Sequence, residues 1–259
     1  MEVSPRRRAD PLDGAPDPED HTPDAIRARL ARGPGRSYLR DLVYGAIDGT
    51  VTTFAVVAGA AGAGLDPSIV VVLGIANLVA DGFSMAVSNF LGGRTEQQRR
   101  RRLRRQEEHH VAVTPAGERE EMRQILAGWH LAADLRERVL DAITQDRDRW
   151  VGLMLQLEHG LPSSPSSPVR AGAATFAAFV AVGSVPLVPF VADAAGLVTI
   201  TSPFGWSTGL TLTAFAAVGV AKGLVVEQRW WQSALETTAL GSAAAALAYA
   251  VGVGLGGLA

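Results

Sequence analysis

Cysteine is absent from this 259-residue sequence. Its absence excludes a disulfide framework, a thiolate metal site and a nucleophilic cysteine. An excess of positive charge is absent too, since the formal net charge is −2, and we therefore expect no nucleic-acid partner. Only 19% of the residues are charged, whereas 47% are hydrophobic. The distribution of these two classes along the chain is the first guide to the fold.

Lysine and arginine are missing from four long stretches rich in Ala, Val, Gly and Leu. Each stretch approaches the roughly 20 apolar residues that cross a bilayer. The first contains a turn signal, GAGLDP, and therefore divides into two, so that the sequence predicts five transmembrane helices with starts near residues 40, 68, 171, 204 and 234. A soluble core of Ala/Val/Gly helices is the alternative reading of the same composition. The stretches are residues 50–92, 171–192, 204–221 and 237–259.

The basic residues predict the orientation of these helices, because lysine and arginine concentrate in cytoplasmic loops. Of the 24 lysines and arginines, eight lie in residues 1–40 and fourteen in residues 94–170. The other two lie between the fourth and fifth helices, and five helices place all three regions on one side. We therefore expect a cytoplasmic N-terminus and a C-terminus outside the cell. No sorting signal is evident in this Arg/Ala/Gly-rich chain, which favours a bacterial plasma membrane.

Polar segments divide the chain into five regions. Residues 1–37 lack the apolar core of a signal peptide, and we expect a disordered cytoplasmic tail with a short surface helix near residues 24–32. Residues 38–93 hold the first two transmembrane helices, and residues 94–160 form a polar cytoplasmic domain. A Pro/Ser linker, residues 161–170, then leads into residues 171–259 and the last three transmembrane helices.

The polar domain is predicted to contain three helices. The first, residues 94–110, continues the second transmembrane helix and carries an arginine run at 99–105 that is typical of a surface facing solvent or lipid headgroups. The second helix begins with Thr114 as its N-cap. The third occupies residues 131–158, with a candidate break near Asp146.

Two aspartates lie within the apolar stretches, Asp48 in the first helix and Asp81 in the second. A charge in the middle of a bilayer is costly, and such residues usually face a pathway or cavity. Asn77, Asp81 and Met85 are spaced four residues apart and share one helix face. Together with Asp48 they offer carboxylate, amide and thioether groups, a set that suits a late divalent ion such as Fe²⁺ better than Mg²⁺ or Ca²⁺. The competing interpretation places the aspartates at an interface, where they would only snorkel toward water.

Several segments resemble the vacuolar iron transporter family. They are DLVYGAIDGTVTTFAVVAGAAGAG, VVLGIANLVADGFSMAVSNFLGGRTE, WVGLMLQLEHGL, AVGVAKG with the tryptophan pair after it, and ETTALGSAAAALAYAVG. The resemblance covers about residues 38–258 in order and spacing. It implies an all-α integral membrane protein with five transmembrane helices and a three-helix cytoplasmic metal-binding domain inserted between helices two and three. It also implies a homodimer that exports Fe²⁺, often also Mn²⁺, from the cytosol in exchange for protons.

The resemblance also implies roles for individual residues. The family's pore aspartate and methionine correspond to Asp48 and Met85. Many members carry a glutamate eight residues before that methionine, where this chain has Asn77, and its carboxylate stands instead at Asp81. The implied ligands of the cytoplasmic domain are Glu107 with His110, Glu118 with Glu121, and Met154 with Glu158, where His110 replaces a glutamate of the family pattern.

Spacing alone supports these cytoplasmic ligands in part. The pairs at 107/110 and 118/121 are three residues apart, and Met154 and Glu158 are four apart, so each pair shares a helix face. Exposed acidic pairs are more often plain surface, and Glu108, His109, Glu120 and Glu137 are further candidates of the same kind. We expect metal only as bound and transported cargo, with no resident cofactor.

Two enzymatic alternatives remain at this point. A Glu-x-x-His motif at 107–110 also occurs in ferritin-like di-iron proteins, which carry two copies of it. Two intramembrane aspartates are also compatible with an aspartyl protease whose carboxyl groups share a proton. The Glu-x-x-His motif occurs only once in this sequence, and protease chemistry needs neither Met85 nor the acidic polar domain. The sequence therefore favours a transporter over an enzyme.

Overall fold

The computed structural model describes residues 22–32, 37–162, 167–226 and 228–258. Within these residues the secondary structure consists of helices and contains no strand. Two short 3₁₀ turns are also present, at Val185–Leu187 and Gly256–Leu258. The α-helices are α1 (Pro23–Arg32), α2 (Leu39–Gly62), α3 (Pro67–Val113), α4 (Pro115–Ala127), α5 (Ala133–Thr144), α6 (Arg147–Leu157), α7 (Pro168–Gly183), α8 (Val188–Ala194), α9 (Pro203–Val225) and α10 (Trp230–Leu255).

In the described part of the chain, five helical segments are long and apolar enough to cross a membrane, as predicted. They are α2, α3, α7 continued by α8, α9 and α10. Three of the five begin within one residue of the predicted start. The third begins at Pro168, inside the predicted linker, and the fifth begins at Trp230 instead of residue 234. Proline at the first position and the tryptophan pair account for these earlier starts, because neither interrupts a helix there.

Helix α2 lies at the centre of the apolar region and packs against α3, α7, α9 and α10. Its contact with α7 depends on two glycines. A methyl group on Gly45 would overlap the carbonyl oxygen of Thr175, and one on Gly49 would lie 2.5 Å from the carbonyl oxygen of Phe179. Close backbone approach of this kind is how small residues join membrane helices. Asp48 is therefore carried by a tightly held helix.

An apolar cluster fills the space around α2. Phe54 and Val57 of α2, Leu78 of α3 and Phe179 of α7 are all buried in it. Met85 packs against the edge of this cluster and is half-buried.

Helix α3 is one continuous helix of 47 residues. Asp66 caps its N-terminus by accepting a 2.8 Å hydrogen bond from the Ser68 backbone N–H, and Pro67 fits the first turn. The first half of α3 carries the candidate metal ligands of the membrane region, Asn77, Asp81 and Met85. Glu107 and His110 lie near its end. The predicted continuation of the second transmembrane helix is thus present.

We call residues 94–161 the insertion. It consists of the last part of α3 followed by α4, α5 and α6. The segment predicted as a third helix is two helices, with the break at Asp146, whose carboxylate caps α6 by accepting from the Arg149 N–H at 3.1 Å. Thr114 does stand at the N-cap of α4. Its hydroxyl, however, donates back to the His110 carbonyl at 3.1 Å and makes no capping bond.

The insertion has an apolar core of its own. Met122 and Leu126 of α4, Leu140 of α5 and Met154 of α6 are fully buried there. Val111 of α3 joins the same cluster, so the core fixes α4, α5 and α6 against the end of α3. This packing positions the polar side chains described next.

The predicted tail and linker fall partly outside the described residues. Within the tail, residues 23–32 form α1, which matches the expected short helix. Residues 1–21, 33–36 and 163–166 lie outside the described part of the chain.

Candidate metal centres

Glu107 of α3 is a carboxylate inside the insertion with almost no access to solvent. Its exposed fraction is 1%, and its Oε2 atom is buried without a hydrogen-bond partner. A buried carboxylate oxygen without a donor is costly, and such an atom calls for a missing partner such as an ion. The apolar core holds the end of α3 against α4 and α6, and this packing places Glu107 inside the insertion.

His110 and Glu118 meet across the turn between α3 and α4. The imidazole Nδ1 of His110 lies 3.3 Å from Oε1 of Glu118, and Oε2 of Glu118 is buried without a partner. Ligand atoms of Glu107, His110 and Glu118 all lie within 4.8 Å of one another. Glu118, one residue of the second predicted pair, thus joins the predicted pair Glu107 and His110 in a group of three.

A second group of three includes a histidine that the sequence analysis did not select. His159 Nε2 lies 3.0 Å from Oε1 of Glu107 and 3.7 Å from Oε2 of Glu158. These three residues also bring ligand atoms within 4.8 Å of one another. His159 follows α6, where Gly160 has a positive φ of 64° and turns the chain back toward α3. The adjacent Glu-His dipeptide was the only sequence signal for this residue.

The electrostatics of the insertion favour a cation at these groups. Burial raises the pKa of Glu118 above its ordinary value, and the charges of Glu107 and Glu121 add to the increase. Burial likewise raises the pKa of Glu158, again with Glu107 and Glu121 contributing. Glu107, Glu118, Glu121 and Glu158 thus bring four carboxyl groups into one small region. A divalent cation would remove the repulsion among their charges.

The remaining predicted ligands of the insertion differ in their surroundings. Glu121 is exposed and lies within electrostatic reach of Glu118 and Glu158, but it belongs to neither group of three. Glu158 is exposed as a residue, and Met154 is fully buried in the apolar core. The thioether of Met154 therefore packs with hydrocarbon around it.

The four further candidates have other partners or positions. Arg123 pairs with both Glu120 and Glu137. Hydrogen bonds from Gln124 and then from Arg123 lower the pKa of the Glu120 carboxyl group, and the bond from Arg123 lowers that of Glu137. Glu108 accepts a 2.7 Å bond from Arg104. His109 is exposed, with its ring centre 6.4 Å from that of His110. These contacts account for three of the four as surface ion pairs.

The predicted membrane site is only partly assembled by this single chain. Asp48 on α2 and Asp81 on α3 belong to helices that pack against each other, and Asp48, Asn77 and Met85 are half-buried. The amide nitrogen of Asn77 is buried without a hydrogen-bond partner. Asp81 is exposed on the surface of the helix bundle, although it shares a face with Asn77 and Met85.

A polar contact that the sequence analysis missed ties three membrane helices together. The Nδ2 atom of Asn89 on α3 donates to Oδ1 of Asp41 on α2 at 2.8 Å and lies 2.7 Å from the hydroxyl of Thr175 on α7. All three residues belong to apolar segments or their ends. The contact holds α3 close to the helix that carries Asp48.

Comparison with known proteins decides the family. The sequence pattern of the VIT family matches residues 39–253, which include the insertion and the five apolar segments up to two residues before the end of α10. The chain belongs to the VIT family. The similarity to the vacuolar iron transporter family seen in the sequence is thereby confirmed.

Full-length relatives in the VIT family have a comparable size. "Vacuolar iron transporter 1" of Eucalyptus grandis is 30% identical over 213 residues, covering 82% of this chain and 84% of that protein. The Arabidopsis thaliana protein of the same name is 29% identical over 212 residues, covering 82% and 83%. A "Vacuolar iron transporter" of Toxoplasma gondii is 35% identical over a shorter segment of 88 residues. VIT family relatives are named as transporters, in agreement with the expectation that this multi-pass membrane protein is not an enzyme.

Proposed function

We propose that the protein exports Fe²⁺, with Mn²⁺ as a second substrate, from the cytosol in exchange for protons. The observation that carries this proposal is the presence of two carboxylates, Asp48 and Asp81, on two neighbouring apolar helices of a VIT family chain. Charged residues within membrane helices are uncommon, and they mark ion pathways. The names of the relatives support iron as the substrate.

In this proposal the insertion collects the metal on the cytoplasmic side. Glu107, His110 and Glu118 offer two carboxylates and an imidazole, and Glu121 and Glu158 add negative charge beside them. Met154 fits less well, because it is fully buried among apolar side chains. The ion then passes to Asp48, Asp81 and Met85, with Asn77 supplying an amide oxygen.

Proton exchange follows from the chemistry of the ligands. A carboxylate must lose its proton to bind a cation, so metal binding releases protons and metal release allows them to return. A carboxyl group that is desolvated and empty of metal favours its protonated form. Asp48 and Asp81 are the residues that we expect to alternate between metal and proton.

The proposal includes a homodimer in a bacterial plasma membrane, with the N-terminus and the insertion in the cytoplasm. Support for the dimer comes from α3, on which Asp81 is exposed together with Ser84, one turn further along the same face. An exposed carboxylate is costly against lipid. A second copy of the chain would cover this face and line it with a second set of carboxylates.

Flux measurements in liposomes test the transport proposal. Purified protein would be reconstituted with an internal pH dye, and the uptake of Fe²⁺ (under anaerobic conditions) and of Mn²⁺ would be followed together with internal pH. We expect metal entry with proton movement in the opposite direction, and its loss in Asp48→Asn and in Asp81→Asn. Asp66→Asn is the matched control, since asparagine also caps a helix and the exposed Asp66 lies outside the proposed pathway.

The outcomes separate the parts of the proposal. Metal flux that persists in Asp48→Asn contradicts the pathway, and flux without any pH change contradicts proton exchange. Oxygen consumption that depends on Fe²⁺, without flux, would instead indicate a ferritin-like di-iron protein. Retained flux in Asp81→Asn alone would restrict the membrane site to Asp48 and Met85.

A further inference from the structure

Two histidines lie close to the buried carboxylate of Glu107. His159 Nε2 lies 3.0 Å from Glu107 Oε1, whereas His110 forms the other group of three with Glu107 and Glu118. Glu107 thus belongs to both groups, and its second oxygen is buried without a partner. The side chain of His159 is itself only 18% exposed, so the imidazole is directed into the insertion.

Imidazole changes the metal preference of a site made of carboxylates. Carboxylate and carbonyl oxygens suit Mg²⁺, Ca²⁺ and Mn²⁺, whereas imidazole nitrogen favours Fe²⁺, Co²⁺, Ni²⁺ and Zn²⁺. A site of glutamates alone discriminates weakly against Mn²⁺. Each imidazole that binds the ion increases the preference for the later metals.

We propose that His159 is a metal ligand of the insertion and that it increases the selectivity of this site for borderline ions such as Fe²⁺ and Zn²⁺ over Mn²⁺. The inference deepens the proposed collecting role of the insertion and rests on it. His159 is outside the ligand set that the family resemblance implies, and it reaches the site through its contact with Glu107. Glu158, its neighbour in sequence, completes the same group of three.

A hydrogen bond between His159 and Glu107 without any metal contact is the competing interpretation of the same distance. In that case His159 would orient the carboxylate, and its loss would weaken all metals by a similar factor. A ligand role weakens the later metal more than Mn²⁺. The ratio of two affinities therefore separates the interpretations.

The test uses the full-length protein in detergent and titrates it with Zn²⁺ and with Mn²⁺. Removal of an outer partner of a metal ligand costs about 10–100-fold in affinity, and loss of a direct ligand should cost at least as much. In His159→Gln we expect the Zn²⁺ affinity to fall by about tenfold or more and the Mn²⁺ affinity to fall by a clearly smaller factor. His109→Gln is the matched control, because His109 is exposed and belongs to neither group of three.

X-ray absorption of the zinc-loaded protein gives a second measurement that needs no comparison of affinities. Wild-type protein should show scattering from imidazole ligands, and His159→Gln should show one imidazole fewer. Equal losses of Zn²⁺ and Mn²⁺ affinity, an unchanged Zn²⁺ affinity, or an unchanged imidazole count would each overturn the assignment. A wild-type zinc spectrum without imidazole scattering would also overturn the assignment. This last result does not depend on whether the variant folds.

These binding measurements are independent of transport. If the ratio of Zn²⁺ to Mn²⁺ affinity falls in His159→Gln but the wild-type protein shows no flux in liposomes, the role of His159 is preserved and the proposed function is contradicted. Flux of Fe²⁺ with an unchanged ratio would preserve the function and remove His159 from the ligands.

Discussion

Asn89 on α3 donates a 2.8 Å hydrogen bond from Nδ2 to the carboxylate of Asp41 on α2. The same amide lies 2.7 Å from the Thr175 hydroxyl, so one side chain connects three helices. Hydrogen bonds to charged groups contribute about 1.5–3 kcal/mol when partly shielded from water. We expect Asn89→Ala to lower the melting temperature of the detergent-solubilised protein. Ser88→Ala, a truncation of the exposed neighbouring residue, should leave the melting temperature unchanged.

Gly49 is the second position at which a small change should have a large effect. A methyl group there would lie 2.5 Å from the Phe179 carbonyl oxygen, so Gly49→Ala should force α2 and α7 apart and destabilise the fold by about 1–3 kcal/mol. Gly92→Ala is the matched control. Gly92 has open space around its Cβ position, and alanine there should be neutral or slightly stabilising. Equal melting temperatures for the two variants would contradict the close α2–α7 contact.

The raised pKa of Glu118 predicts a pH dependence of stability in the metal-free protein. Its carboxyl group holds a proton more firmly in the folded than in the unfolded state, where the ordinary value of 4.5 applies. The resulting stabilisation is complete below that value and is lost as the pH rises through the raised folded pKa. The melting temperature of the metal-free protein should therefore fall from pH 5 to pH 8.

A variant and a metal test this assignment. Glu118→Gln should reduce the pH dependence and raise the melting temperature at neutral pH, because the repulsion with Glu107 and Glu121 is removed. Saturating Zn²⁺ should stabilise the wild-type protein more at pH 8 than at pH 5, where protons compete for the ligands. Glu120→Gln is the control, since Glu120 pairs with Arg123 and has a lowered pKa. An identical pH profile for Glu118→Gln and wild type would refute the assignment.

The absence of cysteine allows a direct test of the dimer face. Any introduced cysteine is unique in the chain, and Ser84 is exposed one turn from Asp81 on α3. We expect oxidation of Ser84→Cys in membranes to yield a disulfide-linked dimer on a non-reducing gel. Leu247→Cys on α10, where the side chain is 70% exposed, should remain monomeric. Cross-linking at residue 247 without cross-linking at residue 84 would place the contact between copies elsewhere.

The apolar segments could be predicted because the number of residues that cross a bilayer is nearly constant. The group of Glu107, His110 and Glu118 was only partly predictable. Helical spacing relates Glu107 to His110, but the contact between His110 and Glu118 depends on how α4 turns back after α3. That direction is set by the apolar core of the insertion, which spacing does not describe.

Two further residues show the limits of sequence patterns. His159 follows the end of α6, where helical periodicity no longer applies, and its approach to Glu107 depends on the reversal at Gly160. Asp81 shares a face with Asn77 and Met85, yet it is exposed while they are half-buried. Which part of a helix face is covered depends on the neighbouring helices and cannot be read from one helix alone.

The continuous helix α3 physically connects two distant positions, Asp81 and Glu107. At 1.5 Å per residue, the positions of Asp81 and Glu107 are roughly 40 Å apart along a single axis, and the helix has no proline after its first turn. The helix also stays continuous through the pair Gly92 and Gly93, which lies between the two positions, so that a tilt at one end is carried along the axis to the other. If the insertion collects the metal as proposed, a change of packing around Glu107 would therefore displace Asp81, and occupancy of one site would be communicated to the other mechanically.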